Sequence, residues 1–129
     1  MKIAIDISAS IYDTGVSVYT KCLTKALLAT DKKNDYMLFG GSMRRKKELI
    51  GFTNSLKGNL ETSINNIPPT ALDLLWNRLH LIKIEKFVGK IDVYHSSDWT
   101  QAPSDAYKVT TIHDTSPFDE SFNNKKIVN

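Results

Sequence analysis

Short apolar stretches alternate along this chain with longer segments of helical spacing. From Lys2 to Ile7 the pattern has period two: Ile3, Ile5 and Ile7 share one face, Ala4 and Asp6 the other, as in a strand. A loop with Asp13, Thr14 and Gly15 follows. Ser17 to Thr30 then reads as a helix whose inward stripe is Tyr19, Leu23, Ala26 and Leu27. Asp31 to Asn34 is a polar turn, and Tyr36 to Phe39 a short strand closed by Gly40 and Gly41. Ser42 to Ile50 reads as a basic helix capped by Ser42. The stretch from Gly51 to Asn66 has the weakest pattern, with one strand expected over Leu60 to Ile64. Pro68-Pro69 forces extended backbone. Thr70 to Asp73 then has the form of a capping box, opening a helix that runs to Val88 on Leu72, Leu75, Leu79, Ile82 and Phe87, with Gly89 as its end. Val93 to Ser96 and Val109 to Ile112 are short and β-branched, as buried parallel strands are.

Strands alternating with helices imply an α/β fold: a Rossmann-like parallel sheet with helices on both faces. No internal repeat or low-complexity segment interrupts residues 1–129, which read as one unit, and the last residues, Asp119 to Asn129, are polar. Hydrophobic residues at 41% and charged residues at 24% fit a globular domain and argue against disorder. No apolar run reaches the roughly 20 residues that span a bilayer. Asp6 interrupts what would be the apolar core of a signal peptide, so a cytoplasmic location is expected. The single cysteine, Cys22, excludes an internal disulfide and is expected as a small buried hydrophobe. A net charge of +3 is too small to imply nucleic-acid binding. Basic clusters at Lys32-Lys33, Arg44 to Lys47 and Lys125-Lys126 read as solvated surface, or as a weak attraction to anionic lipid or a phosphorylated acceptor.

Open parallel sheets bind ligands at the carboxyl ends of their strands. Here that rule selects the Thr14-Gly15-Val16 loop, His95 to Asp98, and His113 to Pro117. A glycine ahead of a helix lets backbone approach a ligand and offers free N–H groups to an anion, or simply eases a turn. With one glycine it is neither a Walker loop nor a dinucleotide fingerprint. His113 meets the edge with Asp114 beside it; histidine can bind a sugar hydroxyl or exchange a proton near neutral pH. His95 alternates with Tyr94 and fits either the core or the edge, and His80 fits a structural or exposed role on the long helix. No G-x-S-x-G elbow supports a hydrolase. Scattered histidines without ligand spacing, and no Asp-x-Asp pair, argue against a metal site.

These pieces, in this order, resemble the N-terminal, acceptor-side domain of a family-four retaining glycosyltransferase of the GT-B fold. Lys2 to Asp6 resembles the family's first strand, and Thr14-Gly15-Val16-Ser17-Val18-Tyr19-Thr20 its "TGIGRYT" loop and helix start. Tyr36 to Phe39 fits the second strand, and Leu75-Trp76 resembles the "LW" of the long helix. Asp92 to Ser96 resembles "DLLHSP", and Val109 to Pro117 resembles "VVTIHDLSP", the most specific piece. Ser17 stands where the loop has its second glycine, Val18 where it has arginine, and Ser97 where a proline follows His-Ser.

The resemblance implies a metal-independent transfer of a hexose, from a nucleotide sugar such as a GDP- or UDP-hexose, to a glycan or lipid-linked acceptor with retained configuration. It implies that His113 contacts the reacting sugar as a catalytic residue, and that Asp114 orients it or binds an acceptor hydroxyl. Gly15 is expected beside the donor phosphate or sugar, with Thr14, Val16, Ser17, Tyr19, His95 and Ser97 as further substrate-binding positions. The family's donor domain carries two glutamates eight positions apart. Glu48, Glu61, Glu85 and Glu120 include no such pair. The chain is therefore expected to be a truncated, incomplete half that lacks the nucleotide-sugar domain and is inactive alone. A peripheral contact at the inner face of the membrane is compatible with such acceptors. The alternative is an acceptor-binding subunit or interaction module that pairs with a separate donor-binding protein or an oligomer partner. A receiver-like or flavodoxin-like domain is disfavoured, because no acidic cluster follows strand one.

Overall fold

The computed structural model describes residues 1–114, so Thr115 to Pro117 of the His-Asp segment, the polar terminal stretch and the Lys125-Lys126 cluster lie outside the described residues. The described chain is α/β, as the alternation implies. Five strands form one all-parallel sheet: β1 (Lys2–Asp6), β2 (Asp35–Gly41), β3 (Leu60–Asn65), β4 (Val93–Ser96) and β5 (Tyr107–Thr110), in the order β3-β2-β1-β4-β5. β1 pairs with β2 on one side (Ile5 opposite Leu38) and with β4 on the other (Ile5 opposite His95). The chain winds outward from β1 to β3, then returns across to β4. The β1–β4 junction is thus the point where strand order reverses, the usual ligand crevice of such sheets.

Two apolar layers cover the sheet. Ile5, Ile7, Tyr36 and Leu38 point to one face, where Leu28 of α1 (Gly15–Thr30) and Leu49 of α2 (Lys46–Asn54) pack on them. Ala4, Met37, Phe39 and Tyr94 point to the other. There they meet Leu72 of α3 (Pro69–Leu72), Trp76 of the wide π-type turn that continues it (Asp73–Arg78), and Val88 of α4 (Glu85–Val88). Trp76 has no exposed surface and stacks at 5.4 Å on Phe39 and 6.0 Å on Phe87. β2 is buried on both faces, which is why its sequence is a continuous apolar run rather than an alternation.

Several local expectations are corrected. α1 starts earlier, at Gly15. It buries Ser17, Thr20, Thr24 and Leu28, a stripe rotated from the expected one, so Ala26 and Cys22 are exposed. The burial of hydroxyl residues is tolerated because Thr20 and Thr24 donate to the carbonyls of Val16 and Thr20, four residues back. α2 begins at Lys46 and extends through Gly51; Ser42 holds the preceding turn by accepting from Arg45 N at 3.0 Å. The long helix from Thr70 to Val88 is broken. Pro68, not Thr70, occupies its N-cap, and positive φ angles at His80 (49°) and Ile82 (61°) interrupt it. Tertiary bonds outweigh helical periodicity there: the Trp76 indole donates to Ile82 O at 2.9 Å, and Ile84 N donates to Pro103 O. β5 starts and ends two residues earlier than expected. It is not a buried strand, since Tyr107 and Val109 are exposed.

Candidate functional site

The site is built on the carboxyl edge at the β1–β4 reversal. α1 begins beside it. Thr14 is the N-cap, and its hydroxyl accepts from Ser17 N at 3.2 Å. Gly15 is the first helical residue, exposed, with ordinary φ and nothing within 4 Å of where a Cβ would stand. Neither crowding nor strain therefore requires glycine here. Ser17 turns inward and donates to Ser10 O at 2.6 Å, so its hydroxyl ties α1 to the loop after β1 and is not offered to the edge.

Four side chains from α1, β4 and the segment after β5 converge beneath that edge. Tyr19 of α1 hydrogen-bonds its hydroxyl to Thr111 Oγ1 at 2.8 Å, and its ring meets His113 edge-on at 4.6 Å. His95, half-buried on β4, places Nε2 at 3.2 Å from the same Thr111 hydroxyl. Burial, and then the charge of His113, lower the His95 pKa, so its imidazole is neutral at physiological pH. His113 itself is exposed at the mouth, and Asp114 follows it, also exposed. Tyr19, His95, Thr111 and His113, with Asp6, Val16, Ser97 and Asp98 but not Asp114, surround a cavity of about 10 Å³, room for about one water.

Asp6 was not foreseen as a site residue. It ends β1 almost fully buried, accepts from Ser8 N through Oδ1 at 2.9 Å, and has no partner for Oδ2 among the described residues. Burial lifts its carboxyl to about 6, against the opposing hydrogen bonds from Ser8. Its neighbour across the β1–β4 junction, the Tyr94 hydroxyl, is also buried without a partner; burial and the Asp6 charge push it well above the usual tyrosine range. Asp98 Oδ1 is a third buried oxygen without a partner among the described residues. The sequence signal for Asp6 was available: a carboxylate directly after the apolar run Ile3-Ala4-Ile5 of a strand. Thr111 carried no signal, because only packing brings α1, β4 and the residues after β5 to one hydroxyl.

A larger groove, about 380 Å³, adjoins this cavity through Val16 and Ser97. Thr14, Tyr12 and Trp99 also line it. Of the expected positions, Tyr19, His95 and His113 meet at the cavity, Thr14 lines the groove, and Val16 and Ser97 line both. Gly15 and Ser17 line neither. Among the described residues no cluster of three His, Cys, Asp or Glu side chains is arranged to hold a metal ion, and no helix is long and apolar enough to cross a membrane.

Fold and site together define a doubly wound parallel α/β domain with a polar crevice at its switch point. No family model matches the chain, and no curated protein or solved structure matches it either.

Proposed function

We propose that this chain is the acceptor-side half of a retaining glycosyltransferase, holding a glycan or lipid-linked acceptor while the nucleotide of a GDP- or UDP-hexose is held by a second domain or protein. The observation that carries the reading is the convergence of Tyr19, His95, Thr111 and His113 on one cavity beside the start of α1. The motif order in the sequence and the β3-β2-β1-β4-β5 arrangement support it as well. In this reading exposed His113 faces the reacting sugar, neutral His95 accepts or donates a hydroxyl hydrogen bond, and Asp6 and Asp98 supply acceptors for hydroxyl protons. Developing positive charge on the sugar would be stabilised by such positioned groups.

The test is a thermal-shift series with the purified chain. Glycan acceptors should raise its melting temperature more than nucleotide sugars do, and the chain alone should not turn over a GDP- or UDP-hexose. With a donor-binding partner supplied, transfer should appear and fall at least about a hundredfold in His113→Ala. Turnover without a partner, or stabilisation by nucleotides above glycans, would overturn the reading. The interaction-module reading, in which the chain only docks a partner, draws on exposed Tyr107, Val109 and Ile112 along and after β5. It is favoured if no donor-binding partner restores transfer.

A further inference from the structure

The groove beside the cavity is not explained by the chemistry of His95 and His113. It lies at the same carboxyl edge, floored by Gly41 at the end of β2 and Leu72 of α3, and walled by Tyr12 and Trp99. Its volume, about 380 Å³, falls in the range of small-ligand sites. Gly41 shapes the floor: a Cβ there would stand 2.5 Å from Leu72 Cδ1, so a larger residue would displace that side chain.

Two features define what would fit. No Asp, Glu, Lys, Arg or His lines the groove. Arg45, over the Tyr12 ring at 5.7 Å, is not among the lining residues and is paired with Glu48. A charged ligand would lose water there without gaining a counter-charge. Among the hydroxyls that line it, Ser8 Oγ accepts from Gly41 N at 2.9 Å, and Thr14 Oγ1 from Ser17 N. Neither donates its own proton to an acceptor among the described residues, so each has a proton to give to a ligand oxygen. Trp99 shares the lining and is 74% exposed, a flat apolar face covered by nothing among the described residues. An apolar face on one side and oxygen acceptors on the other is the chemistry of an uncharged sugar ring, whose C–H face stacks on indole while its hydroxyl and ring oxygens accept hydrogen bonds.

We infer that the groove is a subsite for a neutral pyranoside stacked on Trp99 and hydrogen-bonded by Ser8 and Thr14, so that an uncharged sugar unit precedes the reacting position. This rests on the acceptor-side reading of the edge and names the acceptor's chemical class.

The experiment is an NMR titration of the isotope-labelled chain with methyl glucopyranoside, and with methyl glucuronide, the same ring carrying a carboxylate. The Trp99 indole N–H and the amides of Thr14 and Thr100 should shift saturably, with affinity on the order of millimolar. The buried Trp76 indole should not move. The glucuronide should bind at least about tenfold more weakly. Trp99→Ala should abolish the shifts, and Trp99→Tyr should restore them in part, as exposed Trp99 is not needed for folding. No saturable shift up to the solubility limit, equal binding of the uronide, or undiminished binding by Trp99→Ala would each overturn the subsite. The two readings fail separately. Neutral-sugar binding without reconstituted transfer sinks the transferase and leaves the groove, whereas transfer undiminished in Trp99→Ala sinks the groove alone.

Discussion

Asp6 concentrates the residue-scale physics of this edge. A buried carboxyl at a strand end is costly when ionised, and one of its oxygens has no partner among the described residues. Its folded pKa, about 6, lies above the value of 3.8 it returns to when unfolded. The native state therefore holds the proton more tightly. Its stabilising contribution is complete below pH 3.8 and is lost as pH rises through about 6. Asp6→Asn keeps the acceptor for Ser8 N and removes the ionisation. Wild type should lose on the order of 2–3 kcal/mol relative to this variant between pH 4 and pH 7. Urea midpoints at the two pH values measure it, and parallel changes in both proteins would reject burial as the cause. At the same scale, His113 and Gly15 now differ in kind. His113 has a partner geometry with Tyr19, whereas Gly15 has only the absence of any folding requirement.

The ends of elements test that distinction. Gly89 closes α4 at φ 74° and ψ −165°, a region open essentially to glycine alone. Gly15 opens α1 with ordinary φ and free space around it. Gly89→Ala should therefore cost about 1–3 kcal/mol in denaturant unfolding. Gly15→Ala should stay within about 0.5 kcal/mol of wild type, since a methyl group there meets nothing. An equal loss of stability in both would show that Gly15 serves the turn. The broken helix between α3 and α4 belongs to the same scale. Leu72, Leu75, Leu79 and Ile82 keep helical spacing in the sequence, yet Leu79 and Ile82 end up exposed. Buried Trp76 claims the Ile82 carbonyl, and that bond is incompatible with a continuous helix.

At the scale of the whole molecule, one sheet joins two apolar layers that never touch each other directly. Leu38 lies in the layer under α1 and α2, Trp76 in the layer under α3 and α4, with β2 between them. Leu38→Ala should cost about 2–5 kcal/mol. The loss should be reported equally by Trp76 fluorescence, read in a Trp99→Phe background, and by circular dichroism. A Trp76 transition left in place while the far layer melts would mean that the two faces unfold separately.

The sequence by itself determined the class of fold. Period-two and continuous apolar runs between helical segments name strands and helices through local geometry, and their alternation implies a parallel sheet whose carboxyl edge is the place to look. It also marked His95, His113 and Thr14, because those residue types sit next to strand ends and a helix start, whereas Tyr19 read as part of a core stripe and entered the site only through the resemblance. Tertiary structure alone decided the rest. It put β4 against β1 and so made the switch point; it turned Ser17 inward, brought Thr111 to both Tyr19 and His95, buried Asp6 and left Trp99 bare. None of these follows from periodicity, because each depends on which distant surface a side chain meets. The same energy of burial and hydrogen bonding that broke the long helix at His80 and Ile82 assembled the cavity, joining Tyr19 to Thr111 across 92 positions.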